Sequence, residues 1–224
     1  NGSILRVTGD ITVGTNNTMD GSESSVLGGE DNCIGSNADC SVVVGGYCNV
    51  LLSDFNIIGG GCCNILCSGC HNSILGGRCN HLEGSTTDSS ENTIVGGYQN
   101  CIGNNGFKCV VKNFIGSGCS NKICNGLFNF IGGGASSKIG GSSGDSVGNI
   151  IVGGASNEIC NTSCYTFIGG GSLNCSTSAT CFGFIGGGCQ NRVCENHDAV
   201  VGGNANCTNG GCAFVGGGYS NNNT

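Results

Sequence analysis

Residues 184–193 read Phe-Ile-Gly-Gly-Gly-Cys-Gln-Asn-Arg-Val, and variants of this phrase return along the whole chain. An apolar pair runs into glycines, two variable positions follow, and then come an asparagine and, two places later, an aliphatic residue. Each copy is numbered here from its asparagine, the anchor, which is place 0. The thirteen anchors, spaced by 17 residues on average, are Asn17, Asn32, Asn49, Asn64, Asn80, Asn100, Asn121, Ser137, Asn157, Asn174, Asn191, Asn206 and Asn221. A repeat of this length predicts a solenoid in which each copy forms one coil.

Two places in the phrase predict a β-strand followed by a tight turn. Place −6 is β-branched in all thirteen copies, from Ile11 to Val215, which favours strand over helix. Place −3 is always glycine, which indicates a positive φ or a lack of room for a Cβ between stacked coils. A second short strand is expected from the anchor to the aliphatic residue at place +2, and a polar loop of variable length completes the coil. The sequence therefore predicts an all-β fold, a disulfide-stapled parallel β-solenoid (β-roll) of about 13 short coils over residues 11–224.

Places −5 and −7 share one face of the first strand and trade volume with each other. Where place −5 is glycine, as at Gly132 and Gly186, place −7 is large, as at Phe130 and Phe184. Such compensation is expected where packing approaches interior density, so both faces of the strand are predicted to be buried. A second copy of the chain is the favoured cover, and the variable loop is the alternative. On this basis we expect valine at Gly133 or Gly187 to be more damaging than any loop change.

Asparagine also recurs at place −8. It occupies this place in six successive coils, at Asn56, Asn72, Asn92, Asn113, Asn129 and Asn149. Stacked asparagines in identical turns can hydrogen-bond along the stack, so a second polar ladder is predicted.

Composition excludes several classes of protein. The chain of 224 residues has 46 glycines, no proline and 9% charged residues, and its glycines do not follow the period of collagen. A net charge of −7 with only seven Lys and Arg argues against nucleic-acid binding by phosphate neutralisation. No membrane-spanning run is visible, so no membrane insertion is expected. The 20 cysteines indicate an oxidising, extracellular setting.

The repeat places most cysteines in pairs. Five predicted pairs straddle the variable loop and three bracket an anchor: Cys33–Cys40, Cys101–Cys109, Cys160–Cys164, Cys175–Cys181, Cys207–Cys212, Cys62–Cys67, Cys119–Cys124 and Cys189–Cys194. Four cysteines remain, and three of them share place −1 in successive coils, where strand spacing gives Cα atoms about 4.8 Å apart. Two solutions stay open for the remainder, either Cys48–Cys63 with Cys70–Cys79, or a competing Cys67–Cys70 bond.

Other chemistry is weaker in the sequence. Cys67, Cys70 and His71, with Cys79 and His81 nearby, can be drawn as a zinc site, but one cluster does not explain cysteines spread over the repeat. We therefore expect no metal and no cofactor. The acidic residues are scattered through turns, and no pairing of a nucleophile with a histidine stands out, so no active site is predicted. Among the N-glycosylation sequons, Asn161 is the best candidate because it falls in a loop.

The phrase resembles the head repeats of trimeric autotransporter adhesins, whose coils read Ser-Val-Ala-Ile-Gly and build a left-handed parallel β-roll trimer. Residues 25–29 (Ser-Val-Leu-Gly-Gly) and 73–77 (Ser-Ile-Leu-Gly-Gly) are the nearest matches. The Ile-Gly-Gly-Gly-x-x-Asn form is similar to repeat segments of phage and giant-virus fibre proteins. The resemblance covers residues 11–221 and concerns architecture. The double glycine, the asparagine anchor and the cysteines depart from the bacterial adhesins and favour a viral or other extracellular fibre.

These observations predict a non-enzymatic structural subunit of a rigid, disulfide-stabilised extracellular fibre on a cell or virion surface. Its expected partner is itself, as a homo-oligomer such as a trimer or as a head-to-tail filament. In the filament, residues 4–7 (Ile-Leu-Arg-Val) of the segment 1–10 add a strand to a neighbouring subunit. A chain that is part of a longer solenoid is the alternative. The runner-up function is an adhesin or fibre head that recognises a surface receptor or glycan through its loops.

Overall fold

The computed structural model describes residues 9–84, 89–103, 110–141, 144–177 and 179–224. They form a parallel β-solenoid, and no helix occurs within these ranges. Each coil supplies one two-residue strand to each of two 13-stranded sheets, and these two strands are called a rung. The predicted all-β solenoid fold is therefore confirmed. Residues 1–8, which include the expected N-terminal strand, lie outside the described residues.

The strands of each sheet follow one another in chain order. The first sheet contains β1 (Ile11–Thr12), β3 (Ser25–Val26), β5 (Val42–Val43), β7 (Ile57–Ile58), β9 (Ser73–Ile74), β11 (Thr93–Ile94), β14 (Phe114–Ile115), β17 (Phe130–Ile131), β19 (Ile150–Ile151), β21 (Phe167–Ile168), β23 (Phe184–Ile185), β25 (Ala199–Val200) and β27 (Phe214–Val215). The second contains β2 (Thr18–Met19), β4 (Cys33–Ile34), β6 (Val50–Leu51), β8 (Ile65–Leu66), β10 (His81–Leu82), β12 (Cys101–Ile102), β15 (Lys122–Ile123), β18 (Lys138–Ile139), β20 (Glu158–Ile159), β22 (Cys175–Ser176), β24 (Arg192–Val193), β26 (Cys207–Thr208) and β28 (Asn222–Asn223). A further pair, β13 (Val110–Val111) and β16 (Gly126–Leu127), forms a small third sheet.

The core is two rows of mostly aliphatic side chains, one from each sheet. The first sheet contributes place −6, as at Ile131, and the second contributes place +2, as at Ile139, and both side chains are fully buried. Equivalent places pair between neighbouring rungs, as Ile115 does with Ile131. Because burying one such side chain contributes roughly 1.5–3 kcal/mol, most of the stability comes from rung-to-rung repetition of this thin core.

The first coil differs from the prediction. Ile11 pairs with Ser25 and Thr12 pairs with Val26, so Thr12, and not Ile11, lies at the core register. The reason is a shorter turn. Thr15 aligns with Glu30 fifteen residues later, whereas Ile11 aligns with Ser25 after fourteen, so one residue is missing between β1 and Gly14.

Each coil from the second onward contains the same backbone motif twice. In the fifth rung, residues 69–74 read Gly-Cys-His-Asn-Ser-Ile and residues 77–82 read Gly-Arg-Cys-Asn-His-Leu. In both, the residue before the asparagine has a left-handed φ, 58° at His71 and 54° at Cys79, and its N–H donates to a carbonyl of the preceding rung. The motif leading into the first sheet is called the first half-coil, and the one leading into the second sheet is called the second half-coil.

Both predicted asparagine ladders are present and buried. At the anchors, Oδ1 of Asn191 accepts from the backbone N–H of Asn206, and Nδ2 of Asn191 donates to the carbonyls of Gly187 and Gly203. At place −8, Oδ1 of Asn129 accepts from the backbone N–H of Asn149. These amides satisfy corner groups that would otherwise be buried without a partner, so asparagine holds the anchor corner in twelve coils and the place −8 corner in six.

The two glycines before the anchor have different surroundings. A Cβ at Gly188, at place −3, would clash with the carbonyl oxygen of Gly203 in the next rung, and the φ of Gly188 is +92°. At Gly187, at place −4, an added Cβ meets nothing within 4 Å. At Gly133 it makes ordinary contacts with Ser117, 3.6 Å from Oγ and 3.8 Å from the carbonyl oxygen. An added Cβ at Gly133 or Gly187 therefore does not clash with an adjoining coil, which was one of the two reasons for expecting valine there to be damaging. The other reason, a clash with an adjoining chain, stays a prediction.

Candidate functional site

The side chains at places −7 and −5 form a continuous apolar surface on the first sheet, called the first outer face. They are partly exposed, as shown by Leu27 (47%), Val152 (48%) and Phe184 (40%). The alternative in which the variable loop covers this face is therefore wrong, whereas cover by a second copy of the chain stays a prediction. Place −6 faces the core, while places −7 and −5 face outward and no part of the described chain folds back to seal them.

The first outer face has an even height because a large side chain at place −7 accompanies a glycine at place −5, as the sequence predicted. An added Cβ at Gly132 would lie 3.2 Å from Cε1 of Phe130, so the phenyl ring lies over the glycine of its own strand. The same contact occurs at Gly186 with Phe184, at 3.4 Å. Rings of neighbouring rungs also stack, as Phe114 does on Phe130 with centroids 5.3 Å apart. Aliphatic rungs and phenylalanine rungs therefore present a similar height, and from the second rung onward no charged residue occupies place −7 or place −5.

Places +1 and +3 form the second outer face, which is polar and rich in cysteine. Lys138 Nζ lies 2.9 Å from Glu158 Oε1 in the next rung, and the hydrogen bond with Glu158 raises the pKa of Lys138. Burial raises the pKa of Cys101 to about 12. The two faces of the coil thus share one backbone geometry and carry opposite surface chemistry.

An exposed aromatic ladder runs along the corner at place −9, which the sequence analysis did not identify. Phe55 stacks on His71 with ring centroids 5.5 Å apart. Tyr165 stacks on Phe182 at 5.5 Å, and Phe182 stacks on His197 at 5.2 Å. The sequence contains a signal for this ladder, because each of these aromatic residues occupies the same place of its repeat, one before place −8. The segments between the strands, which were expected to be polar, therefore also carry exposed aromatic rings.

An open cavity of about 530 Å³ adjoins this corner in rungs 2 to 5. Phe55 and His71 line it together with Leu52, Asp54 and Cys70. One oxygen of Asp54 accepts from the backbone N–H of Asp39. The cavity therefore combines a stacked aromatic pair with one oriented carboxylate.

Among the cysteines that the structure describes, one disulfide is formed, between Cys164 and Cys181, with Cα atoms 4.6 Å apart. These residues occupy place −10 of adjacent rungs and pair as a bridge. The bond rules out the predicted pairs Cys160–Cys164 and Cys175–Cys181. The predicted Cys101–Cys109 pair lies partly outside the described residues. The other described cysteines are free thiols, so none of the remaining predicted pairs is bonded: Cys33–Cys40, Cys207–Cys212, Cys62–Cys67, Cys119–Cys124, Cys189–Cys194, Cys48–Cys63, Cys70–Cys79 and Cys67–Cys70.

Stacking explains why the pairs predicted within a coil fail. Place +3 of one rung lies diagonally next to place +1 of the following rung, as in Cys194 and Cys207, whose sulfurs are 3.8 Å apart. Cys160 and Cys175 occupy the same two places, and their side chains hydrogen-bond. The spatial neighbours of a cysteine here lie across rungs, and loop proximity along the chain is a poor guide to them.

The zinc cluster drawn from the sequence is split by the fold. His71 belongs to the aromatic corner, whereas His81 lies on the second outer face, where Nε2 is 3.4 Å from Cys67 Sγ and Nδ1 is 2.6 Å from Glu83 Oε1. The described residues contain no group of three His, Cys, Asp or Glu arranged to hold a metal ion. Sequence reasoning missed the contact of Cys67, His81 and Glu83. Burial, followed by the charge of Glu83, raises the pKa of Cys67, which favours the protonated thiol at neutral pH.

Asn161, the glycosylation candidate, lies in the turn between β20 and β21 and is half-buried. The sequon asparagines Asn174 and Asn206 are fully buried anchors.

Among the described residues, none belongs to a helix long and apolar enough to cross a membrane. Compared with models of known protein families the chain matches none, and comparison with curated protein sequences finds no relative.

Proposed function

We propose that the chain is a non-enzymatic structural subunit of a rigid, disulfide-stabilised extracellular fibre that assembles by self-association. The observation that carries the proposal is the first outer face, a level and uncharged apolar strip on the outside of a hydrogen-bonded stack of thirteen rungs. Exposed apolar surfaces of this extent mark sites of association. The 20 cysteines support an oxidising setting, in which disulfides persist.

The dimensions of the first outer face suit a contact between two copies. Thirteen rungs at a spacing of about 4.8 Å make a strip roughly 60 Å long. With a width of about 12 Å for two outward side chains, it offers on the order of 700 Å² per copy, close to the roughly 800 Å² of a standard interface. A level strip is best matched by another level strip, and this chain supplies one. Packing of the strips around a common axis gives a dimer or a trimer, as the resemblance to trimeric fibre heads implies.

Sedimentation velocity and negative-stain microscopy of the oxidised full chain test the proposal. The variant Phe130→Ser/Phe184→Ser breaks the first outer face without touching the core. The control, Lys122→Ser/Lys138→Ser, alters the second outer face to a similar extent. We expect oligomers from the parent and the control and a folded monomer from the phenylalanine variant. A monomeric parent at tens of micromolar, or unchanged assembly of the phenylalanine variant, contradicts the proposal.

A second candidate function, recognition of a sugar at the loops, is favoured by the cavity beside Phe55. Sugars bind where an aromatic ring packs against their apolar face and a carboxylate accepts their hydroxyls, and Phe55, 52% exposed, and Asp54 provide both groups. Calorimetric titration with a panel of monosaccharides and disaccharides tests it, with Phe55→Ala as the loss-of-binding variant. Phe128→Ala, at the same place outside the cavity, is the control. Absence of binding across the panel removes this candidate.

A further inference from the structure

We infer that disulfides cross three successive junctions between rungs 9, 10, 11 and 12, two of them in addition to the bond already formed. The three bonds are Cys160–Cys175, Cys164–Cys181 and Cys194–Cys207. Each joins a residue to the rung that follows it, and each junction receives one bond. The inference concerns covalent pairing and holds whether or not the chain assembles into fibres.

The formed bond establishes that this stack can place two cysteines of adjacent rungs at bonding distance. Cys164 and Cys181 are ladder neighbours whose Cα atoms lie 4.6 Å apart, within the range that disulfides adopt. The spacing is set by the hydrogen bonds between rungs, which repeat at every junction. The two further pairs join place +3 to place +1 and not equivalent places, so their geometric support is the closeness of their side chains across a junction.

The two added bonds share one geometry on the second outer face. Cys194 follows β24 and Cys207 lies in β26, and their sulfurs are 3.8 Å apart, so side-chain rotation of modest size closes the gap to the roughly 2.05 Å of a disulfide. Cys160 follows β20 and Cys175 lies in β22, which is the same pair of places two rungs earlier. Elsewhere along this diagonal Cys67 meets His81, and Cys124 precedes Lys138, so neither has a diagonal cysteine partner.

The local electrostatics make Cys175, and not Cys160, the first of the two thiols to react. The hydrogen bond from Cys160 lowers the pKa of Cys175 to about 7, and Arg192 acts in the same direction. The Cys175 thiolate attacks one sulfur of a low-molecular-weight disulfide such as oxidised glutathione and expels one glutathione thiolate. Cys160 then loses its proton and attacks the Cys175 sulfur of the mixed disulfide, which expels the second thiolate. Two electrons leave the protein thiols, and the released protons and thiolates give two reduced glutathione molecules.

The three bonds differ in position around the coil. Cys164–Cys181 lies at the corner before the first sheet, and the other two lie on the second outer face. Rungs 9 to 12 are thus linked in series on alternating sides. A solenoid can open by detaching one rung at a time from its neighbour, and series bonds across consecutive junctions prevent this for the four rungs they join.

Peptide mapping without reduction tests the pairing. The full chain is oxidised with oxidised and reduced glutathione, alkylated with N-ethylmaleimide in acid, digested with chymotrypsin and trypsin, and analysed by mass spectrometry. Cleavage after Tyr165, Leu173 and Phe182 separates the peptide that carries Cys160 and Cys164 from the one that carries Cys175 and Cys181. We expect these two peptides to remain joined until reduction, with fragmentation assigning Cys160 to Cys175. Cys207 is expected to be joined to Cys194.

Two separate peptides with internal Cys160–Cys164 and Cys175–Cys181 bonds overturn the inference. Alkylated Cys160 and Cys175, or a Cys207–Cys212 bond, also overturn it. Two variants guard against reshuffling. Cys160→Ser should leave Cys175 alkylated, and Cys160→Ser/Cys175→Ser should retain the other two bonds. A new Cys164–Cys175 bond in the single variant contradicts the fixed diagonal geometry.

Discussion

The two half-coils of each rung share one backbone motif but differ in what they tolerate. The second half-coil has glycine at place −3 in every copy and asparagine at place 0 in all but one. The first half-coil has asparagine at place −8 in six coils, whereas other coils have Ser24, Ser41, Thr166, Gly183, Asp198 or Ala213 there. The two half-coils differ in tolerance because different connecting segments lead into them. A short glycine turn forces the second half-coil through one narrow path, whereas a loop of variable length leads into the first and can adjust to its side chains.

Comparison of Gly188 with Gly187 gives the largest expected effect. Gly188→Val introduces a Cβ against the carbonyl of Gly203 at a left-handed φ, and we expect it to lower the free energy of unfolding by about 3 kcal/mol or more. Gly187→Val meets open space and is expected to change the free energy by less than about 1 kcal/mol. Denaturant unfolding of both variants measures the contrast. Equal losses would mean that both glycines are equally enclosed. Weakened assembly of Gly187→Val alone would place the open edge at a subunit contact.

The asparagine ladders provide the next comparison. Asn191→Ala removes an amide that donates to two glycine carbonyls. Asn129→Ala removes one that donates to the carbonyl of Ser146 and to Oδ1 of Asn113, and this Oδ1 keeps the backbone N–H of residue 129 as a donor. Because an unsatisfied buried group costs about 1–3 kcal/mol, both variants should have a smaller free energy of unfolding than the parent. The value for Asn191→Ala should be smaller than that for Asn129→Ala by about 1 kcal/mol. Thermal and denaturant unfolding of the two variants decide the order. The reverse order would mean that the glycine turn does not depend on its amide clamp.

Ser137 offers a test in the stabilising direction. Its Oγ is buried without a hydrogen-bond partner in the anchor ladder. Ser137→Asn should restore amide bonds to the carbonyls of Gly133 and Gly154 and raise the free energy of unfolding by about 1 kcal/mol. Ala135→Asn, two residues earlier on the exposed corner, is the control and should change little. A loss of stability in Ser137→Asn would show that rung 8 has no room for the amide.

The smallest expected effect lies on the second outer face, at Lys138 and Glu158. Both side chains are more than a third exposed, so solvent screening limits the pair to about 0.5 kcal/mol or less. Because the pKa of Lys138 is raised in the folded state, the contribution is complete below the unfolded pKa of about 10.4 and is lost as pH rises through the folded pKa. A double-mutant cycle with Lys138→Met and Glu158→Gln at pH 8 and pH 11.5 measures it. A coupling that persists at pH 11.5 contradicts an ionic origin.

The sequence predicted those parts of the fold where only one or a few residue types fit a position. The β-branched residue at place −6, the glycine at place −3 and both asparagine ladders are buried or constrained, and few residue types fit them. The left-handed corners at places −1 and −9 escaped prediction because they accept residues as different as Leu173, Gln190 and Phe182. Their conformation is imposed by hydrogen bonds to the preceding rung and leaves no mark on composition.

The functional surfaces were harder to predict for two physical reasons. Apolar patterning shows that a face avoids water, yet it does not say whether the core or another molecule covers it, so Leu27 and Phe184 were assigned to burial. Cysteine pairing depends on the neighbour across a rung, and variable loops conceal that register, as Cys194 and Cys207 show. Register was also mispredicted in the first coil, where a turn shorter by one residue places Thr12, and not Ile11, at the core position.

The anchor ladder also gives the molecule a polarity. Each hydrogen bond of the asparagine anchor ladder runs from the backbone N–H of one anchor to Oδ1 of the anchor before it, so Asn32 donates to Asn17 and Asn221 donates to Asn206. Any stack of these rungs therefore presents amide acceptors toward its C-terminal side and backbone donors toward its N-terminal side. Two stacks that meet end to end can continue the ladder only when unlike ends face each other, since like ends would oppose donor to donor or acceptor to acceptor. A filament extended through this ladder would have distinguishable ends, and growth at one could proceed at a different rate from growth at the other.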